Sequence, residues 1–134
     1  MSEAIKQEAF INFLKTKKIP YIAHINENIW SGVVRGFMIK KLGNQKGIIM
    51  ANRIIMSIVN KQKKLGAYKG IWDIQILSTN ASGSKLGLFI EMKHGRNKLT
   101  DDQKEFKENN PNYAFAVCYE SKDAVSAVKE YLNG

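Results

Sequence analysis

A strand that is apolar for three residues and then carries an acid and a lysine constrains this chain more than any other stretch. Leu88, Phe89 and Ile90 suit a buried strand, yet Glu91 and Lys93 follow at once. Side chains on a strand alternate faces, so residues 91 and 93 point the same way. Burying an acid and an amine together is unfavourable unless something compensates them. Asp73 stands in a like setting, between Trp72 and the apolar run Ile74-Gln75-Ile76-Leu77. If the two strands pair, Asp73, Glu91 and Lys93 converge at one spot. Two facing carboxylates repel, and a divalent cation is the usual remedy.

Such a constellation suits metal-assisted hydrolysis of a phosphodiester. Oxygen ligands from Asp73 and Glu91, helped by the backbone carbonyl of Met92, would hold Mg²⁺ or Mn²⁺, which keep several waters and accept phosphate oxygens. Lys93 would steady the attacking group or the charge growing on the phosphate. The plainer alternative is a solvated ion pair at a strand end.

Three segments in order, Gly70-Ile71-Trp72-Asp73, Leu88-Phe89-Ile90-Glu91-Met92-Lys93 and Thr100-Asp101-Asp102-Gln103, resemble the VRR-NUC branch of the PD-(D/E)XK nucleases. Where that family carries Gly-x-Pro-Asp, this chain has Trp72 in place of the proline and keeps the acid. The resemblance runs from about Lys64 to the C-terminus and, more faintly, over the first thirty residues. It implies an α/β fold with a restriction-endonuclease-like core, a mixed central sheet flanked by helices. It also implies a Mg²⁺-dependent endodeoxyribonuclease of the small stand-alone phage or bacterial type, with Asp73, Glu91, Lys93 and Gln103 at its catalytic centre. An N-terminal helix in that family brings a Glu towards the metal; Glu3 matches the place and Glu8 competes, while two solvated helix residues is an equal alternative. His24-Ile25-Asn26-Glu27-Asn28 is similar to a His- and Asn-bearing stretch that some members of that family carry near the active-site mouth. The stand-alone members look like homodimeric four-way (Holliday) junction resolvases.

Composition agrees with a nucleic-acid partner. The 134 residues suit one domain, 1–134, and carry 21 Lys and Arg against 12 Asp and Glu, a net charge of +9. Solubility alone is the other explanation of that surplus. Cys118 is the single cysteine, which leaves no disulfide or thiolate zinc site within one chain. With no signal peptide and no apolar run long enough to span a membrane, the expectation is a cytoplasmic protein of a bacterial or phage-infected cell.

Along the chain, residues 2–18 predict a helix with Ile5, Ala9, Phe10, Phe13 and Leu14 on its apolar face and Ser2 as a cap. Residues 20–26 predict a short strand ending at His24 and Asn26. From Trp30 to Gly47 the glycines at 32, 36, 43 and 47 suggest a hairpin or irregular arm. The apolar residues Val33, Val34, Phe37, Met38, Ile48 and Ile49 of the wider Trp30–Met50 stretch would either complete the core or pack across a dimer axis. Residues 50–65 predict a helix with Ile54, Ile55, Ile58 and Val59 inward. Lys61, Lys63, Lys64 and Lys69 would hold phosphates, although the helix dipole explains two of them. Ser78–Gly87 reads as a hairpin loop, and His94, Arg96 and Lys98 lie on a basic loop beside the site. Thr100 and Gln103 form a capping box, so Gln103 has a structural task besides the catalytic one the family implies. Asn109-Asn110-Pro111 closes that helix, Tyr113–Tyr119 predicts a second buried strand, and Ser121 caps a last helix through Leu132. Strand, helix, strand is a parallel crossover unit. Two functions therefore fit: a Mg²⁺-dependent nuclease, or a non-catalytic basic nucleic-acid-binding module. Only the nuclease accounts for acids where phosphate must come.

Overall fold

β1 (Tyr21–Ala23), β2 (Ile74–Ile76), β3 (Leu88–Met92) and β4 (Ala114–Cys118) lie side by side in that order. The first two pairings are antiparallel, and the β3–β4 pairing is parallel. This is a computed structural model, and it describes residues 3–24, 27–66 and 70–134. The chain packs as two compact units, Met1–His24 with Gly70–Gly134, and Ile25–Lys69.

In the first unit the strand period sorts side chains onto two faces. Leu88, Ile90 and Met92 join Ile74 and Ile76 in a core completed by Phe10 and Leu14 of α1 (Glu3–Thr16) and by Ala124, Val128 and Tyr131 of α5 (Ser121–Asn133). Phe89 points the other way, into a cluster with Trp72 and with Phe106 of α4 (Asp101–Glu108). The Phe89 and Phe106 rings meet edge to face at 5.0 Å, a favoured aromatic geometry. Glu91 falls on this second face, beside α4. The expected α/β architecture with a mixed sheet between helices is what forms, and β3-α4-β4 is the parallel crossover.

Several details differ from expectation. α1 buries Phe10 and Leu14, but Ile5 and Ala9 are exposed and Lys6 is buried in their place. β4 is half-buried along most of its length. Ser121 is the first residue of α5, not its cap; Glu120 caps it, receiving and returning hydrogen bonds with Asp123. A carboxylate at that place also suits the positive helix end. The expected roles of Ser2, Asn26 and Lys69 lie outside the described residues.

The largest correction concerns residues 30–47, which are helical. The second unit is an antiparallel pair, α2 (Glu27–Leu42) and α3 (Asn44–Lys64), joined at Gly43 with φ 83°. Half-buried Trp30, Val34 and Met38 recur at helical spacing, a period that the glycines mask in the sequence. Gly32 and Gly36 sit inside α2 facing open space. Gly47 is a packing residue: a Cβ there would come within 2.6 Å of the Ile39 backbone. α3 thus begins six residues before the helix expected at 50.

Gly70 ties the fold to the site. It has φ 80°, and a Cβ on it would lie 2.4 Å from the backbone carbon of Asp102 in the first turn of α4. Gly83 has a similar φ, 72°, but open space around it. Gly83→Ala should therefore lose only the left-handed backbone penalty, about 1–2 kcal/mol. Gly70→Ala should lose roughly 1–3 kcal/mol more through overpacking. Urea denaturation of the two variants side by side checks the difference.

Candidate active site

The turn before β2 and the end of β3 brace each other through their acids. Glu91 Oε1 accepts the Asp73 backbone N–H at 3.1 Å, and Asp73 Oδ2 accepts the Met92 backbone N–H at 3.0 Å. Each carboxylate is thereby bound to the other's strand. The other Glu91 oxygen accepts from Gln103 Nε2 at 2.8 Å and pairs with Lys93 Nζ at 3.2 Å. Gln103 Oε1 in turn accepts from Lys93 Nζ at 3.1 Å and from the Thr100 N–H at 2.9 Å. Gln103 is thus both the returning half of the Thr100 capping box and a bridge between Glu91 and Lys93.

Trp72, at the place where the resembling family has proline, is fully buried. Its indole N–H donates to the Gln103 carbonyl at 3.2 Å. The bulk that departs from the motif thus fastens the Asp73 turn to the helix that carries Gln103.

Burial dominates the electrostatics. Asp73 and Glu91 are 6 % and 1 % exposed. Desolvation first, then the charge of Glu91, push the Asp73 carboxyl up to about 7, against the Met92 N–H bond and the charge of Lys93. Glu3 adds to the rise, so the N-terminal turn of α1 lies within electrostatic reach of Asp73. Glu8 is exposed.

Lys6, one turn beyond Glu3, is 5 % exposed; it donates to the Tyr119 carbonyl at 2.7 Å and pairs with Glu120 at 3.4 Å. It was legible in principle, since 6, 10 and 14 form a stripe four residues apart, but a lysine breaks an apolar count. Tyr119 donates its hydroxyl to the Asn97 carbonyl at 2.8 Å, anchoring the loop that carries exposed His94, Arg96 and Lys98. His24 continues the β1–β2 pairing, its N–H donating to the Asp73 carbonyl at 2.6 Å. Its Nε2 is buried without a hydrogen-bond partner, and burial lowers its pKa. Ile25 and Asn26 of that segment are outside the described residues. Lys61, Lys63 and Lys64 are exposed in the last turns of α3, in the second unit.

Among the described residues, no three His, Cys, Asp or Glu side chains form a ready metal cage. The residues nevertheless fit Mg²⁺ or Mn²⁺, because such ions are held by one or two carboxylates with water and phosphate completing the shell. Two buried acids that repel one another, with the Asp73 carboxyl pushed well above the usual carboxylate range, are the observation that accords with a cation.

Among solved structures, the chain is similar to one described as "VRR_NUC domain protein", with 29% identity over 55% of this chain and a TM-score of 0.49. The chain covers 61% of that protein, less than two thirds of its length. The family expected from the motifs is the one this comparison returns. No protein-family model matches the chain, and no curated protein matches it. No helix among the described residues is long and apolar enough to cross a membrane.

The raised Asp73 pKa has a consequence for stability without metal. The folded protein holds a proton that the unfolded chain has released between the ordinary value of 3.8 and about 7. Stability therefore falls as pH rises through that window, and the loss is complete above it. Asp73→Asn removes the titration and should stabilise the metal-free protein at pH 8 by roughly 1–3 kcal/mol, with no difference near pH 4. Thermal melts in EDTA across pH 4–8 measure this, and Mg²⁺ should raise the melting temperature of the parent protein only.

Proposed function

We propose that this protein is a Mg²⁺- or Mn²⁺-dependent DNA endonuclease that hydrolyses phosphodiester bonds, acting as a homodimer on branched DNA such as four-way junctions. The observation that carries the reading is the buried pair Asp73 and Glu91, with Lys93 held on Glu91 by Gln103. Asp73 and Glu91 would hold the cation, with the Met92 carbonyl as a further oxygen ligand and Glu3 on the approach. When bound, it would supply positive charge against both acids and the phosphate.

The chain's own residues do the positioning. Gln103 fixes the Lys93 ammonium beside the acids, where it meets charge developing on phosphate oxygens. Its bond to Gln103 and its pairing with Glu91 spare Lys93 reorganisation during reaction. His94, Arg96 and Lys98, with Lys61, Lys63, Lys64 and Lys69, hold backbone phosphates and read no bases. A non-catalytic binding module has no use for two buried carboxylates at its phosphate contact, because they repel the ligand.

One such centre cuts one strand, so paired incision calls for two copies, most simply related by a two-fold axis. Light scattering at micromolar concentration should give the mass of a dimer. A panel of duplex, flap, fork and four-way-junction DNAs should show preference for the junction. A monomer that treats all four alike removes the resolvase reading.

Nicking of supercoiled plasmid should require Mg²⁺ or Mn²⁺ and stop with EDTA. Asp73→Asn and Glu91→Gln should abolish it while DNA binding survives. Lys93→Ala should lower the single-turnover rate by about 10²-fold or more and leave the dissociation constant within a few-fold. Normal cleavage by either acid variant rules the site out, and metal-independent binding with no cleavage leaves the binding module as the function.

A further inference from the structure

Charge divides between the two units very unequally. Residues 25–69 hold nine Lys and Arg and one acid, Glu27, a net of +8. The rest of the chain holds twelve against eleven, a net of +1. Most of the +9 therefore belongs to the α2–α3 hairpin, whose eight Lys and Arg against Glu27 give +7, and the unit with the carboxylate site is close to neutral.

The arrangement of that charge on α3 is specific. Gly47, Ala51 and Ile55 are buried, and Gly47 faces the Ile39 backbone of α2. On the opposite side, Lys46, Ile49, Arg53, Met56, Asn60 and Lys64 succeed one another at steps of three or four residues, which sets them in one stripe. All six are exposed, Ile49 by 52% and Met56 by 54%. The helix dipole accounts for cations in the last turn, such as Lys64. It does not account for Lys46, which sits in the first turn of α3, where a positive charge is disfavoured and no acid is present.

We infer that the α2–α3 hairpin is a nucleic-acid-binding arm, engaging the phosphate backbone through the Lys46-Arg53-Lys64 stripe without metal and without the carboxylate site. At 21 residues α3 is about 31 Å long, close to one turn of duplex. Three cations along it, about 10 and 16 Å apart by helical rise, reach separate phosphates, and Ile49 and Met56 supply apolar contact to sugars and groove edges between them. A lipid surface fits less well, because an interfacial helix segregates its apolar face from its cations, whereas here the two alternate. A second copy fits less well also: two arms of +7 with one acid each lack the opposite charges that complementary interfaces present. The inference stands whether or not the protein cleaves DNA, because the stripe is a property of the arm alone.

The test uses the full chain in an Asp73→Asn background, in EDTA, so that cleavage plays no part. Binding to a 30-base-pair duplex, the matching single strand and a four-way junction is measured against salt. Lys46→Gln/Arg53→Gln/Lys64→Gln should weaken binding by about tenfold or more and lower the salt slope by about 2 to 3. Lys17→Gln/Lys122→Gln, exposed cations of the other unit, should change affinity less than threefold. Circular dichroism melts establish that all variants remain folded. Parent-like affinity of the triple variant overturns the inference, as does an equal loss in the control pair. Loss of binding to phosphatidylserine vesicles with DNA binding intact would make the arm a membrane element. A drop in mass with DNA binding intact would make it a self-association surface; either result also overturns the inference. Failure to nick plasmid in Mg²⁺ bears on the nuclease reading alone.

Discussion

Two carboxylates tied crosswise between strands are the constraint on which the site depends. Glu91 accepts the Asp73 amide and Asp73 accepts the Met92 amide, just beyond the last β2–β3 ladder pair, Ile74 with Ile90. Side-chain oxygens thus take over the work of backbone carbonyls where the two strands part. Burying an ion costs several kcal/mol even after relaxation, while each hydrogen bond to a charged group returns about 1.5–3 kcal/mol. Glu91 collects the Asp73 amide, the Gln103 amide and Lys93, enough to offset its burial. Asp73 has one such bond, from Met92, and a like charge beside it. The two acids are therefore unequal: Glu91 is held by three polar partners, and Asp73 is the one whose charge still wants a partner.

The surrounding residues follow from keeping that pair in place. Gln103 spans Glu91 and Lys93, so the start of α4 must be held to the Asp73 turn. Gly70 permits the backbones to touch, and Trp72 secures the same contact through its indole N–H. A proline before Asp73 would fix one dihedral angle of the turn. Trp72 restrains the turn by burial and a hydrogen bond instead, which is how the motif changes its second-last residue and keeps the position of the acid.

How much of this was legible in the sequence depends on whether a residue's role is local. The Leu88–Lys93 alternation and the Thr100–Gln103 cap are local patterns, and both appear as read. The Gln103 bridge needs only that cap and a parallel strand beside it. The α2–α3 hairpin was not legible, because Gly32, Gly36 and Gly47 carry no mark of their purpose. Gly47 removes a side chain from a helix contact, and the other two lie in open helix, whereas turn logic treats all three alike. Lys6 hid for the converse reason: its partners, the Tyr119 carbonyl and Glu120, lie more than a hundred residues away in the chain.

The uneven charge of the two units connects the acid pair to substrate capture in the proposed nuclease. A phosphodiester approaching Asp73 and Glu91 meets negative charge of its own sign, and with net +1 the surrounding unit does little to draw it in. Crowding cations around the acids would not solve this, because each would compete with a divalent ion for the carboxylates; Lys93 is already engaged with one of them. The attraction is better supplied by residues that are not needed at the chemistry. A helical hairpin with one acid and eight cations meets that requirement, while the charges that perturb Asp73, namely Glu91, Glu3 and Lys93, belong to the unit that carries the carboxylates. In such a nuclease, separating the charge that gathers the polyanion from the groups that would hydrolyse it lets each be tuned without disturbing the other.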